Sequence, residues 1–396
     1  MNSEGKAALL WDESFLWGLM LFRALKRQGL AFDLVRSEEV RQGALASYRA
    51  LVVPGGWASN KIKALQPAGV EAVKGFVAGG GSYFGICGGA GLAVADSIGL
   101  LDVSRRKLAE RVPSLSGEVV VGLAAHPLWH GIQDPTFTVW WPSQFLPGPG
   151  CRSLARFVRA TGDAYSADLN VGDMPESGWQ EAEELYGINL QPEKMADDPL
   201  VLEGTYGPGR VILSLLHFDT PGSASGARAL ANLWSYLGLG AIVPDPAAGG
   251  PAPRGAVYDT VRDLHLFGLR NFLWFERSGL IQWRRGIRGL EYHTLYALVA
   301  ELASLGAGEE LRALGDEIAE FVRLAKRLLI LERLALQRGE TITFARTKDE
   351  EIKTLRARMF ADSKSYGGWF KSLLDRLDAA LYQRLKGQET HRSPKA

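Results

Sequence analysis

The chain has 396 residues, 46% of them hydrophobic and 22% charged, with a net charge of +1. That balance excludes a disordered chain, allows two domains with sizeable cores, and gives no general attraction to nucleic acid or to a membrane surface. Two cysteines, Cys87 and Cys151, exclude a disulfide framework and point to a reducing, cytoplasmic setting.

Met1 to Lys6 are polar and Asp12 and Glu13 interrupt the apolar stretch that follows, so no secretory leader is expected. No uncharged run of about 18 apolar residues marks a membrane span. Ala7 to Trp11 reads as a first strand, and Glu13 to Gln28 has helical spacing through Leu16, Leu19, Met20 and Leu25, with Gly29 as its stop. Phe32 to Val35 is a second strand. Ser37, followed by Glu38 and Glu39, starts a helix, because a hydroxyl cap and early acids suit its N-terminus. Strand Leu51 to Val53, a helix over Pro67 to Ala78 and strand Ser82 to Ile86 continue the alternation. Repeated strand and helix units imply a parallel sheet with helices on both faces, with ligands bound beyond the carboxyl ends of the strands.

The run Gly81 to Gly91 delivers Cys87 from an apolar strand into a turn of small residues, the layout of a nucleophile elbow. Gly85, Gly88 and Gly89 relieve crowding there, and a helix over Gly88 to Ser97 would aim its first N–H groups at the sulfur. An inert buried cysteine in a glycine-rich turn is the alternative. Upstream, Ala50 to Gly56 is a buried strand ending in Pro54-Gly55-Gly56, whose backbone donors suit an oxyanion hole. Downstream, strand Gly209 to Leu216 leads to His217-Phe218-Asp219, a base two residues from a carboxylate that would orient it.

Between these segments, Glu118 to Leu123 and Thr136 to Trp141 read as strands, and Thr161 to Asp198 as polar loops. Trp179, Tyr186 and Asn189 in those loops are candidates for ligand contact, with incidental aromatics as the alternative. His126 and His130 have a metal-like spacing, but Pro127 and Gly131 make the segment a turn, so no metal is expected. Residues 241–255 form a Pro/Gly/Ala linker between a domain at 1–240 and another at 256–396. The second domain reads as an all-α bundle of about four helices, on stripes such as Leu311, Leu314, Ile318, Phe321, Ala325 and Leu328, or Phe370, Leu373, Leu377, Leu381 and Leu385. Arg277 to Arg288 mixes bases with Trp283 and reads as a corner between helices with solvated arginines. His265, His293 and His391 stand alone in sequence, and the tail from Gly387 should fray.

The segments Val53 to Gly56, Gly79 to Ala90 and Gly209 to His217, with weaker agreement at His126 to Leu128 and Trp140 to Phe145, resemble the class I glutamine amidotransferase-like superfamily. Within it, they look most like the domain at the N-terminus of eukaryotic biotin-protein ligases. The resemblance covers residues 1–240. It implies a flavodoxin-like α/β fold with Cys87 as nucleophile, His217 as base, Asp219 as orienting acid, and Gly55, Gly56 and the N–H of Gly88 at the oxyanion. Two positions depart from the pattern: the usual His-Pro-Glu is His217-Phe218-Asp219, and Gly91 stands where a glutamine-binding glutamine is common. No biotin-ligase catalytic motif, P-loop or cofactor-binding motif is visible in the second half, so the chain is not expected to be a biotin ligase by itself or to carry a cofactor.

Two function classes remain open. One is a thiol hydrolase or amidase acting on a small molecule. The other is a non-catalytic small-molecule binding or regulatory module that uses the same pocket, with the helical domain contacting a protein partner. Redox sensing by Cys87 shares the thiolate argument. The intact cysteine, histidine and Pro-Gly-Gly favour the enzyme; Asp219 and Gly91 favour the binding module.

Overall fold

A computed structural model describes residues 5–246, 250–277, 280–340, 347–361 and 365–391. The chain divides into two compact units, Met1–Ala248 and Gly249–Ala396.

The first unit opens with β1 (Ala7–Leu10), α1 (Phe15–Gln28), β2 (Phe32–Val35), α2 (Ser37–Arg41), β3 (Ala50–Val53), α3 (Ala58–Ala78), β4 (Ser82–Ile86) and α4 (Gly88–Leu92). It continues through β5 (Val103–Arg105), β6 (Leu115–Leu123), β7 (Thr136–Trp140), β8 (Phe145–Pro147), β9 (Arg152–Ala160), β10 (Tyr165–Ser166), β11 (Leu169–Asn170) and α5 (Gly178–Tyr186). It closes with β12 (Pro199–Tyr206), β13 (Gly209–Ser214), β14 (Leu216–His217) and α6 (Ala224–Tyr236).

These strands form a mixed sheet with a parallel core in the order β2, β1, β3, β4, β13. All four residues of β1 and of β3 are buried, as expected of strands covered on both faces, and the apolar runs there leave no polar side to expose. Beyond β13 the sheet turns antiparallel through β12, β9 and β6. β6 also pairs with β7, and β7 with β14. The antiparallel arm extends the architecture beyond the doubly wound core.

Several local outcomes differ from the sequence reading. The helix expected over Pro67 to Ala78 starts earlier, at Ala58, and breaks at Gln66 (φ 59°, ψ 170°), because Pro67 cannot continue the preceding turn. The helix after the elbow is five residues long rather than reaching Ser97. Glycines at 88, 89 and 91 are weak helix formers, and the N–H groups of Leu100 and Gly99 fold back onto the carbonyls of Ala93 and Val94. Thr161 to Asp198 is not a set of solvated loops: Trp179, Ala182 and Leu190 form a small buried core. The start of the linker is pinned to α1, with Ile242 N–H donating to Gly29 carbonyl at 2.7 Å and Asp245 N–H to Lys26 carbonyl at 2.9 Å. Gly29, at φ 66°, caps α1 and leaves room for that strand of backbone, since a Cβ there would lie 2.3 Å from the Ile242 carbonyl oxygen.

The second unit holds α7 (Ala256–Arg270), β15 (Trp274–Arg277), β16 (Leu280–Trp283), α8 (Gly289–Ser304), α9 (Gly308–Ala313), α10 (Gly315–Gln337), α11 (Glu350–Phe360) and α12 (Gly368–His391). The apolar stripes of α10 and α12 are buried at Ile318, Phe321, Ala325 and Leu328 and at Phe370, Leu373, Leu377, Leu381 and Leu385. The expected helix-connecting corner is instead an antiparallel hairpin, which lays the Trp274 indole on α7 at Gly268 and lets its Nε1–H donate to the His265 carbonyl at 3.1 Å. His265 does not stand alone. Its ring stacks on Tyr296 at 4.4 Å, lies 6.1 Å from His293, and its Nε2 is 2.9 Å from Glu276 Oε1. The side chain of His391 lies outside the described residues.

Candidate active site

Cys87 sits between β4 and α4 with φ 51° and ψ −108°, a combination that residues with a Cβ rarely adopt. Its N–H donates to the Ser214 carbonyl at 2.8 Å, tying the elbow to the end of β13, and its carbonyl accepts from Gly91 N–H at 2.9 Å. Tyr83 Oη–H donates to the Gly89 carbonyl at 2.6 Å and holds the first turn of α4 from below. The thiol is half-buried and donates to the Trp140 carbonyl at 3.7 Å.

Small residues are required on this turn. A Cβ at Gly85 would lie 2.5 Å from Gly89 backbone, and one at Gly88 would lie 1.7 Å from the Gly56 carbonyl oxygen. The Pro-Gly-Gly turn and the elbow are therefore in backbone contact. Among the described residues, the N–H groups of Gly55, Gly56 and Gly88 donate no hydrogen bond, which leaves them available to an oxyanion.

β14 places His217 opposite Thr138 of β7. Its side chain is fully buried, and Nδ1 lies 3.0 Å from Asp219 Oδ1, so the aspartate reaches the imidazole although it is a methylene shorter than glutamate. Thr220 Oγ1–H donates to the His217 carbonyl at 3.0 Å and closes the turn that brings His217 and Asp219 together. Burial alone would lower the imidazole's pKa; the charge and hydrogen bond of Asp219, joined by the Cys87 side chain, overcome it and raise the value to about 10. Nε2 of His217 is buried without a hydrogen-bond partner in this state.

Trp17, from the first turn of α1, was not a candidate in the sequence, where it reads as one more apolar helix residue. Its ring lies 6.1 Å from Trp140, on whose carbonyl the Cys87 thiol is bonded. Gly91, one turn after Cys87, faces Arg105, whose guanidinium donates to the Gly91 carbonyl. Of the other candidates, Trp179 is buried in its own cluster and Tyr186 Oη donates to Asp168 Oδ1 at 2.8 Å. Asn189 Nδ2 donates to the carbonyls of Ala109 and Arg111 at 2.8 and 3.1 Å. His126 caps the 3-10 turn over Pro127–Trp129 that proline dictates, accepting from Leu128 N–H at 3.2 Å. Cys151 donates to the Asp102 carbonyl at 3.7 Å, and burial together with Asp102 raises its thiol pKa. No helix among the described residues is long and apolar enough to cross a membrane.

No curated protein matches the chain. Among solved structures, PurLQS from Thermotoga maritima is similar at 14% identity and a TM-score of 0.40, covering 59% of this chain and 99% of that one. A β-galactosidase from Rahnella sp. R3 is similar at 14% identity and a TM-score of 0.38, covering 61% and 32%. A cytoplasmic protein from Salmonella typhimurium is similar at 12% identity and a TM-score of 0.37, covering 59% and 98%. Residues 22–97, which run from within α1 through the Pro-Gly-Gly turn and the elbow, match the family model described as biotin-protein ligase, N terminal.

Proposed function

We propose that the first unit is a cysteine-dependent hydrolase or amidase. The observation that carries the reading is the buried His217–Asp219 pair, three residues past Ser214, whose carbonyl holds the Cys87 N–H. In this reading the Cys87 sulfur bonds to the carbonyl carbon of an amide or ester while the carbonyl oxygen takes up negative charge against the N–H groups of Gly55, Gly56 and Gly88. The Cys87 thiol proton passes to Nε2 of His217, where Asp219 stabilises the imidazolium, and from there to the departing amine or alcohol as the bond to carbon breaks. Water then attacks the thioester, returns a proton to His217, and releases the acid and the free sulfur.

The test is acylation by p-nitrophenyl acetate. The expected result is an acetyl group on the Cys87 peptide that forms and then turns over, is absent in Cys87→Ala, and forms roughly a thousandfold more slowly in His217→Gln. An acetyl group that stays on Cys87, or none, would favour the binding-module reading, in which the same pocket holds a ligand without converting it.

A further inference from the structure

The edge of the parallel core where its strands begin carries a cavity of about 640 Å³, lined by Tyr48, Arg49, Phe76, Ser82, Arg210 and Ser235 among others. Arg49 precedes β3, Ser82 opens β4 and Arg210 is the second residue of β13. Pairing fixes their order: Ser82 N–H donates to the Arg49 carbonyl at 3.0 Å, Ala50 pairs with Ser82, and Val211 pairs with Tyr83. Ser82 therefore stands between the two arginines, on three adjacent strands about 4.8 Å apart. Cys87 follows the far end of β4, about 16 Å along the strand from Ser82.

Both arginines are anchored on the end of α6. Arg49 Nε–H donates to the Leu237 carbonyl at 3.0 Å, and a Cβ at Gly238 would lie 3.1 Å from that Nε, so the glycine admits the guanidinium. Arg210 lays its guanidinium over the Tyr236 ring, 4.1 Å from the centroid. Its Nε lies 3.4 Å from Glu203 Oε1, to which Tyr236 Oη–H donates at 2.7 Å. Holding the end of α6 accounts for the Nε of Arg49 and for no other donor here. Among the described residues, no Nη atom of Arg49 or Arg210 donates a hydrogen bond, and neither does Oγ of Ser82 or Ser235. Glu203 offsets part of the charge of Arg210 but is not in the lining, and the lining holds no Asp or Glu.

We propose that this cavity binds a small organic phosphate, with Arg49 and Arg210 as cationic donors, Ser82 and Ser235 as hydroxyl donors, and the rings of Tyr48 and Phe76 beside the organic part. Guanidinium groups pair their planar donors with phosphate oxygens two by two. Two such groups and two hydroxyls offer more donors than a carboxylate can use, and suit the additional oxygen and charge of a phosphate. The site lies at the opposite edge of the sheet from the elbow and does not rest on the thiol chemistry proposed above.

Calorimetric titration of the full chain at constant ionic strength tests this, with phenyl phosphate as the probe and inorganic phosphate and benzoate as comparisons. Phenyl phosphate should bind at one site, and each comparison should bind on the order of tenfold more weakly, the one lacking the ring and the other the phosphate. Arg49→Gln and Arg210→Gln should each weaken phenyl phosphate by on the order of tenfold, with part of the loss recovered by Arg210→Lys. Cys87→Ala should leave the affinity unchanged. Should Arg49→Gln fail to fold, because Arg49 also holds the end of α6, Arg210→Gln decides. No saturable binding, an affinity unmoved in Arg210→Gln, or benzoate binding as tightly as phenyl phosphate would overturn the site. Inorganic phosphate binding as tightly as the ester would overturn the organic part of the assignment. Loss of binding in Cys87→Ala would place the ligand at the elbow and overturn it equally.

Discussion

The indole of Trp17 lies against the imidazole of His217, ring centroids 5.0 Å apart and planes inclined by 40°. The same side chain meets Gly55, where a Cβ would come within 3.0 Å of its Cγ. One side chain from α1 therefore touches both the Pro-Gly-Gly turn and His217. Trp17→Ala is expected to cost about 3–5 kcal/mol of stability through the cavity it leaves, and to slow acylation of Cys87 by releasing the ring of His217. Trp17→Phe should recover most of both. Thermal melts and acylation rates check this; an alanine variant with wild-type acylation would mean that the indole merely fills space.

Cys87 supplies a second expectation, because its backbone conformation suits glycine. Cys87→Gly should melt above Cys87→Ala, since alanine keeps the Cβ that strains the turn. The strain is about 1–3 kcal/mol, offset by about 0.5–1 kcal/mol for glycine's greater freedom when unfolded. Melting temperatures of the two inactive variants decide it, and alanine equal to or above glycine would show that the turn is unstrained.

The parallel core and the Cys87, Gly55, Gly56 and His217 positions were legible because each is encoded locally. Ala7 to Leu10 and Ala50 to Val53 are unbroken apolar runs, and the candidate residues follow such runs directly. β9 was missed because its buried positions, Leu154, Ala155, Phe157 and Ala160, are interleaved with Arg152, Arg156 and Arg159 and its register shifts against both neighbours. Trp17 and Arg105 were missed for another reason. Nothing in the local sequence says that residue 17 faces residue 217, or that residue 105 reaches residue 91; only the assembled sheet brings them together. The hairpin at Trp274 to Trp283 was hidden in the same way, its two strands too short for a clear alternation.

The pH dependence of stability follows from His217. Its folded pKa, about 10, is above the ordinary 6.5, so its interaction with Asp219 stabilises the fold fully below about pH 6.5 and is lost as pH rises through about 10. The melting-temperature gap between wild type and Asp219→Asn should therefore be widest near pH 6 and close towards pH 10. A gap that stays constant over that window would mean that His217 is neutral in the folded protein.

The contact between elbow and turn predicts a contrast among glycines. Gly88→Ala drives a methyl group into the Gly56 carbonyl, 1.7 Å away, and should cost about 3 kcal/mol or more, since backbone has to move. Gly75→Ala, on the exposed side of α3 with nothing within 4 Å, should stabilise by about 0.5–1 kcal/mol. Denaturant melts of the pair provide the check; similar stabilities would refute the close approach.

β7 carries neither residue, yet the Cys87 thiol is hydrogen-bonded to the carbonyl of its Trp140 and His217 is paired with its Thr138. Cys87 and His217 are thus tied to each other twice, through β7 of the antiparallel arm and through Ser214 at the end of β13, whose carbonyl holds the Cys87 N–H. Loosening of β6 and β7 would release the Trp140 contact of the thiol and the Thr138 register of His217 while the core strands stayed paired, so the surroundings of the two side chains can open locally without the whole unit unfolding.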